Sequence, residues 1–145
     1  MMVSASAAAD EASDSERNFS RPLRVLVVDD DRDTVVSLTL LIRNEGHDVK
    51  GVHDSSAMWQ VIEQFRPDAI LLDIGLPDRN GYDVARTLRR RFGPQTPMLI
   101  AVTAWNKGAD KVLAQLAGFD HHVGKPYDPQ SLLTLLAPLS LGLRG

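Results

Sequence analysis

Six side chains in this sequence have types and an order that could act together on a charged group: the run Asp29–Asp30–Asp31, then Asp73, Thr103 and Lys125. Carboxylates gathered in one crevice repel, each pair by on the order of 4 kcal/mol at about 4 Å in a medium of effective dielectric about 20. Such a cluster needs protons, through raised pKa values, or a divalent cation. A few carboxylates without a fuller cage of oxygens suit magnesium, which keeps several waters and shares phosphate oxygens; calcium asks for more ligands. Beside a metal, one carboxylate can attack a phosphoryl group and become an aspartyl phosphate. The Thr103 hydroxyl can donate to a phosphoryl oxygen, and the Lys125 ammonium can offset the charge that phosphorylation adds. Neither is an obvious base for hydrolysis. The set therefore points to holding a phosphoryl group rather than to rapid turnover.

These residues can meet only if the chain brings them to one rim, and its alternation of apolar patterns does so. Leu23–Val28 is an apolar, β-branched run that reads as a buried strand and stops at the three aspartates. Val35, Leu38, Leu41 and Ile42 then recur at helical spacing, with Asp31 and Asp33 as capping residues and Gly46 as the stop. Asp48–Val52 reads as the second strand, followed by a helix capped by Ser55 with Met58, Val61, Ile62 and Phe65 on its face. Ala69–Leu72 is the third strand and ends at Asp73. The turn residues Gly75, Pro77, Asp78, Asn80 and Gly81 lead into a helix carrying Val84, Ala85 and Leu88, whose last turn is Arg89–Arg91. Met98–Val102 is the fourth strand and ends at Thr103; Ala109, Val112, Leu113 and Leu116 follow at helical spacing up to Gly118. A weak fifth strand, His121–Gly124, leads to Lys125, and Asp128 and Pro129 open a final helix with Leu132, Leu135 and Leu136 on one face. Five strands alternating with five helices over short connections imply an α/β fold, a doubly wound parallel sheet with helices on both faces. Ligands bind such sheets at the carboxyl ends of the strands, where Asp29, Asp30, Asp73, Thr103 and Lys125 all fall.

Each residue alone has a plainer reading. The aspartate triplet can be a solvated helix start, Asp73 a turn former, Thr103 a packed strand end and Lys125 a surface charge. Their placement after successive strands favours the joint reading. Gly118…Gly124–Lys125 is not a phosphate-binding loop, because five residues separate the glycines and Pro126 stands where Ser or Thr is needed. His47, His53, His121 and His122 lack metal-ligand spacing, and Arg89–Arg91 reads as a solvated complement to its helix dipole.

Composition narrows the function classes further. The chain has 145 residues and 43% hydrophobic content, enough for a single core. Residues 1–20 are rich in Ala, Ser and acids and offer few large apolar groups, with Phe19 the one aromatic, so they read as a disordered acidic tail ahead of a domain over 21–145. Removing the tail's four acids and one base from totals of 19 and 16 leaves 15 of each sign, a poor balance for a direct nucleic-acid binder. Absence of cysteine excludes disulfides, a thiol nucleophile and cysteine zinc sites. No apolar run approaches the roughly 18 residues of a membrane span, and no signal peptide opens the chain. A cytoplasmic protein with no membrane association is expected.

Val27–Asp31, Leu71–Pro77, Val102–Ala104 and Lys125–Pro126 together resemble the receiver domain of two-component response regulators, in order and spacing over residues 23–139. That resemblance implies the flavodoxin-like (βα)5 fold with strand order 2-1-3-4-5, an order taken from the family. It implies that Asp73 accepts a phosphoryl group from a histidine kinase or histidine phosphotransfer protein, and that the change is relayed to a downstream protein of unknown identity. Asp30, Asp73 and the Gly75 carbonyl would bind magnesium with Asp29 assisting, while Thr103 and Lys125 would sense the phosphate. Such a domain is a signalling phosphoacceptor, catalysing only its own phosphorylation and slow dephosphorylation. Its relatives usually have a cis bond at the position of Lys125–Pro126. Where the family has an aromatic switch residue, three positions before the lysine, this chain has His122, which either titrates near neutral pH as a switch or is an ordinary exposed histidine. Trp105, two positions after Thr103, falls where the family gates attacking water, and either shields the phosphoryl group or packs on the fourth helix.

Two other readings use the same residues. The chain could be the receiver of a hybrid histidine kinase, with Met1–Ser20 as linker, instead of a stand-alone regulator. From another class, a haloacid-dehalogenase-like phosphatase would use Asp29 and Asp31 as nucleophile and acid. That reading leaves Asp73–Pro77 without a role and lacks a late acidic pair for magnesium.

Overall fold

The computed structural model describes residues 21–104 and 108–142. Its elements alternate throughout: β1 (Arg24–Val28), α1 (Arg32–Asn44), β2 (Asp48–Val52), α2 (Ser55–Phe65), β3 (Ala69–Leu72), α3 (Gly81–Phe92), β4 (Met98–Thr103), α4 (Gly108–Ala117), β5 (His121–Gly124) and α5 (Pro129–Ser140). All strand pairs are parallel, and the sheet order is β2-β1-β3-β4-β5. This is the doubly wound sheet expected from the alternation and the strand order expected from the resemblance.

Because successive strand residues face opposite sides of a sheet, β1 feeds two cores. Leu26 and Val28 join Met58, Ile62, Val84, Leu88, Ala114 and Ala117 under α2, α3 and α4. Val25 and Val27 join Val35, Leu38, Ile42, Leu132, Leu136 and Leu139 under α1 and α5. All four residues of β3 and all six of β4 are buried, as their continuous apolar runs require in a sheet covered on both faces. Burying each such Leu or Ile contributes about 1.5–3 kcal/mol, so the central strands make a rigid platform for whatever lies at their ends.

Three local expectations are corrected. Ser55 is not the cap of α2; Asp54 is, its carboxylate accepting from the Ala57 N–H at 2.7 Å, because a residue with extended backbone geometry one position earlier reaches that donor. The large apolar residues of α4 do not face the core: Val112, Leu113 and Leu116 are exposed, and Ala114 and Ala117 are buried in their place. That helix has two apolar stripes, and only its seat against α3 and β5 selects the small one. The arginines ending α3 are more than a solvated charge run. Arg89 donates from Nε and Nη2 to the Gly118 carbonyl at 2.8 and 2.5 Å and from Nη2 to Asp120 at 3.0 Å, tying α3 to the end of α4. Arg91 pairs with Glu63 and lies 5.4 Å from the ring centroids of both Trp59 and Phe92.

Candidate functional site

At the carboxyl end of β1 the chain leaves the sheet carrying Asp29, whose backbone N–H still donates to the Val52 carbonyl at 3.1 Å. Its side chain is therefore held inside the rim, 2% exposed. Oδ1 accepts from the Asp31 N–H at 2.9 Å, and Oδ2 accepts from Lys125 Nζ at 2.7 Å. Asp30 follows it and is exposed. Asp31 caps α1, accepting from the Asp33 N–H and the Thr34 hydroxyl, and the Thr34 bond above all holds its carboxyl below the usual carboxylate value.

Asp73 leaves β3 in the same way, its N–H donating to the Val28 carbonyl at 2.9 Å, and the Gly75 N–H donates to its Oδ1 at 3.1 Å. The loop beyond it closes on itself. Gly75 and Asn80 form an antiparallel bridge, and the Gly81 N–H donates to the Ile74 carbonyl at 2.8 Å. Glycine is required at 81, since a Cβ there would stand 2.5 Å from Ile74 Cα and 2.8 Å from the Asp73 carbonyl oxygen. Thr103 ends β4 buried at 8% exposure and is in register with Gly124, and the Lys125 N–H donates to the Thr103 carbonyl at 2.7 Å. The Lys125–Pro126 bond is cis.

One oxygen from each of Asp29, Asp30 and Asp73 lies within 4.8 Å of the others, a grouping that could hold a metal ion. Lys125 offsets one of the three charges and leaves an excess of negative charge. Burial first, then the charge of Asp29, pushes the Asp73 carboxyl up to about 6 against the pull of the Gly75 N–H and Lys125. Burial works against the Lys125 ammonium, but the hydrogen bond to Asp29 and the charges of Asp29, Asp73 and Asp31 outweigh it and raise its pKa. The site thus presents a partly desolvated carboxyl group beside an ammonium bound to Asp29.

The profile of the response regulator receiver domain matches residues 25–137. The chain belongs to that family. Receiver domains are the phosphoacceptor modules of two-component signalling, and this one is a signalling domain of that class. It is 41% identical over 110 residues to the DNA-binding response regulator MtrA of Mycolicibacterium smegmatis, a match covering 76% of this chain and 47% of that protein. The chain thus spans about half the length of the curated relatives it matches. Among solved structures it resembles a CheY-like response regulator receiver domain protein from Methanospirillum hungatei, with a TM-score of 0.72 and 28% identity over 80% of this chain and 91% of that one. A response regulator signal receiver domain from Bermanella marisrubri aligns with a TM-score of 0.72 and 27% identity over 80% and 96%. The phosphatase alternative has no support, and Asp31, its required acid, caps α1 instead.

Of the residues singled out from sequence, Asp29, Asp30, Asp73 and Lys125 converge at one rim, with Gly75 and Thr103 on the flanking backbone. His122 lies within β5, opposite Ala101 in the register and half-buried, so it is a strand residue and not an ordinary exposed one. Trp105 and the tail Met1–Ser20 lie outside the described residues. Two residues to which the sequence assigns no part in the site, His53 and Asp78, lie beside it. His53 Nδ1 stands 3.1 Å from the Asp29 carbonyl oxygen, and Asp78 bonds to Ser55 and Ser56. Asp78 was visible only as a turn residue, because its partners lie more than twenty positions upstream. Among the described residues no helix is long and apolar enough to cross a membrane.

Proposed function

We propose that this receiver domain takes a phosphoryl group onto Asp73 from the phosphohistidine of a histidine kinase or histidine phosphotransfer protein, in the presence of Mg2+. The observation that carries this reading is the meeting of the Asp29, Asp30 and Asp73 oxygens within 4.8 Å, with the Lys125 ammonium bound to Asp29. Asp29, Asp30, Asp73 and the Gly75 carbonyl would hold the magnesium ion, since three carboxylates with one compensating ammonium retain the negative charge and open oxygens that a hard cation needs. When bound, magnesium screens the phosphoryl oxygens and lowers the repulsion between them and the carboxylates.

The remaining chemistry belongs to the chain. An Asp73 carboxylate oxygen attacks phosphorus, the P–N bond breaks, and its electron pair stays on the leaving imidazole nitrogen, which takes up a proton from water to leave a neutral histidine on the donor. The raised pKa of the Asp73 carboxyl makes its carboxylate more basic and more nucleophilic than an ordinary aspartate. Thr103 donates its hydroxyl to a phosphoryl oxygen, and Lys125 supplies a positive charge that can shift from Asp29 towards the new dianion. Redistribution of those two contacts between β4 and β5 is the conformational change offered to a downstream protein. With 15 charges of each sign from Arg21 onward, the domain itself makes no direct nucleic-acid contact in this reading; the word DNA-binding belongs to the full-length relative.

The test is transfer of labelled phosphate from a phosphohistidine donor. Label should appear on wild type only with Mg2+ and be absent from Asp73→Asn. Labelling of that variant, or undiminished labelling after chelation, overturns the assignment.

A further inference from the structure

The loop that follows Asp73 is anchored by a helix from another part of the chain. Asp78, exposed and five positions past Asp73, accepts three hydrogen bonds from the start of α2: Oδ1 from the Ser55 N–H at 3.0 Å, and Oδ2 from the Ser55 hydroxyl at 2.7 Å and the Ser56 N–H at 3.1 Å. Ser55 is 2% exposed, so its hydroxyl is spent on this contact. Asp54 meanwhile takes the Ala57 N–H. The two carboxylates divide the first donors of α2 between them, one from the helix's own cap and one from the loop after β3.

The other end of the same segment is fastened to the first acidic loop. Val52 accepts from the Asp29 N–H at 3.1 Å, and His53 Nδ1 faces the Asp29 carbonyl at 3.1 Å. Residues 52–56 therefore form a strap that touches the loop bearing Asp29 and Asp30 and the loop bearing Asp73 and Gly75. A shift of Asp78 cannot be absorbed within its own loop, because the Gly75–Asn80 bridge and the Gly81–Ile74 bond close that loop tightly.

We propose that Asp78 is a positioning residue of the phosphoacceptor site: bound to Ser55 and Ser56, it sets the loop 74–80 so that the Gly75 carbonyl stands in register with Asp29, Asp30 and Asp73 for the metal. This inference rests on the magnesium reading given above. Asp78 touches neither the metal nor the phosphoryl group; it acts through the backbone of its loop.

Calorimetric titration with Mg2+ tests it on the whole chain, with amide exchange at Gly75 as a second measure. Asp78→Ala should weaken magnesium binding about five- to tenfold and speed Gly75 exchange, and Ser55→Ala should do the same to a smaller degree. Asp78→Asn, which keeps one acceptor oxygen, should recover part of the loss. Asp54→Ala removes a cap from the same helix without touching the loop, so it should lower thermal stability and leave magnesium affinity as in wild type. If wild type binds magnesium and Asp78→Ala binds it equally well, or if Asp54→Ala weakens binding as much as Asp78→Ala, the positioning role is overturned. If Asp78→Ala does not fold, the double-mutant cycle of Ser55→Ala with Asp78→Asn decides: additive losses in affinity overturn the role, and a shared loss supports it. A wild type that takes up no magnesium overturns the metal reading itself.

Discussion

Lys125 Nζ and Asp29 Oδ2 are 2.7 Å apart although 96 positions separate the two residues in the chain. The carboxylate is 2% exposed and the lysine side chain 18%, so water screens the pair weakly. The contact joins the end of β1 to the residue after β5, across the width of β3 and β4. It is both the neutralising element of the acidic cluster and the link that a bound phosphoryl group would compete for.

Lys125→Ala leaves Asp29 buried beside Asp73 without its cation. Removing one partner of a buried pair typically costs about 3–5 kcal/mol, and relief through protonation of Asp73 reduces that here to about 2–3 kcal/mol. Urea unfolding of the metal-free protein at pH 7 reads this as a lowered midpoint at unchanged slope. A loss under about 0.5 kcal/mol would show that Asp29 is adequately solvated without Lys125.

Asp73 makes metal-free stability depend on pH in a stated direction. Its folded pKa, about 6, is above the ordinary aspartate value of 3.8, so between those values the folded state binds more protons than the unfolded one. Its contribution is fully present below about pH 3.8 and is lost as pH rises through 6. Asp73→Asn should therefore be more stable than wild type at pH 7, by on the order of 2–3 kcal/mol, and the advantage should vanish near pH 4. Parallel pH profiles for the two proteins would contradict the raised pKa.

Magnesium should offset part of that penalty. A cation that binds only the folded site stabilises it by about 1.4 kcal/mol at ten times its dissociation constant, visible as a rise in Tm that chelation removes. Asp30→Asn should reduce the rise although Asp30 is exposed and leaves the core untouched. An equal rise in wild type and in Asp30→Asn would take Asp30 out of the ligand set.

Arg89 separates a dipole role from a specific one. If it only complements the end of α3, Arg89→Lys should be neutral. Its planar group instead makes two bonds to the Gly118 carbonyl and one to Asp120, a pattern that lysine cannot copy. Arg89→Lys should cost about 1–2 kcal/mol, and Arg89→Ala no less, in chemical denaturation. A neutral Arg89→Lys restores the dipole reading.

The order of strands and helices was legible in the sequence because burial on both faces of a parallel sheet demands apolar runs such as Ala69–Leu72 and Met98–Val102, which polar turn residues interrupt. The same runs told where the acids fall, since a strand ending at a crevice exposes its next residue: Asp29 after Val28, Asp73 after Leu72. Spacing alone thus singled out the acids, Thr103 and Lys125, and the motif they make named the family. Periodicity did not tell which stripe of α4 is buried, because Ala114–Ala117 and Val112–Leu116 are equally regular and only contact with α3 and β5 discriminates between them. Nor could it show that Asp78 belongs to α2, or that Arg89 belongs to Gly118. Local pattern reports on burial, which each segment meets by itself. Hydrogen-bonded pairs such as Asp78–Ser55 and Lys125–Asp29 join segments whose separation in the chain has no fixed relation to their distance in space, so they are decided only when the sheet has closed.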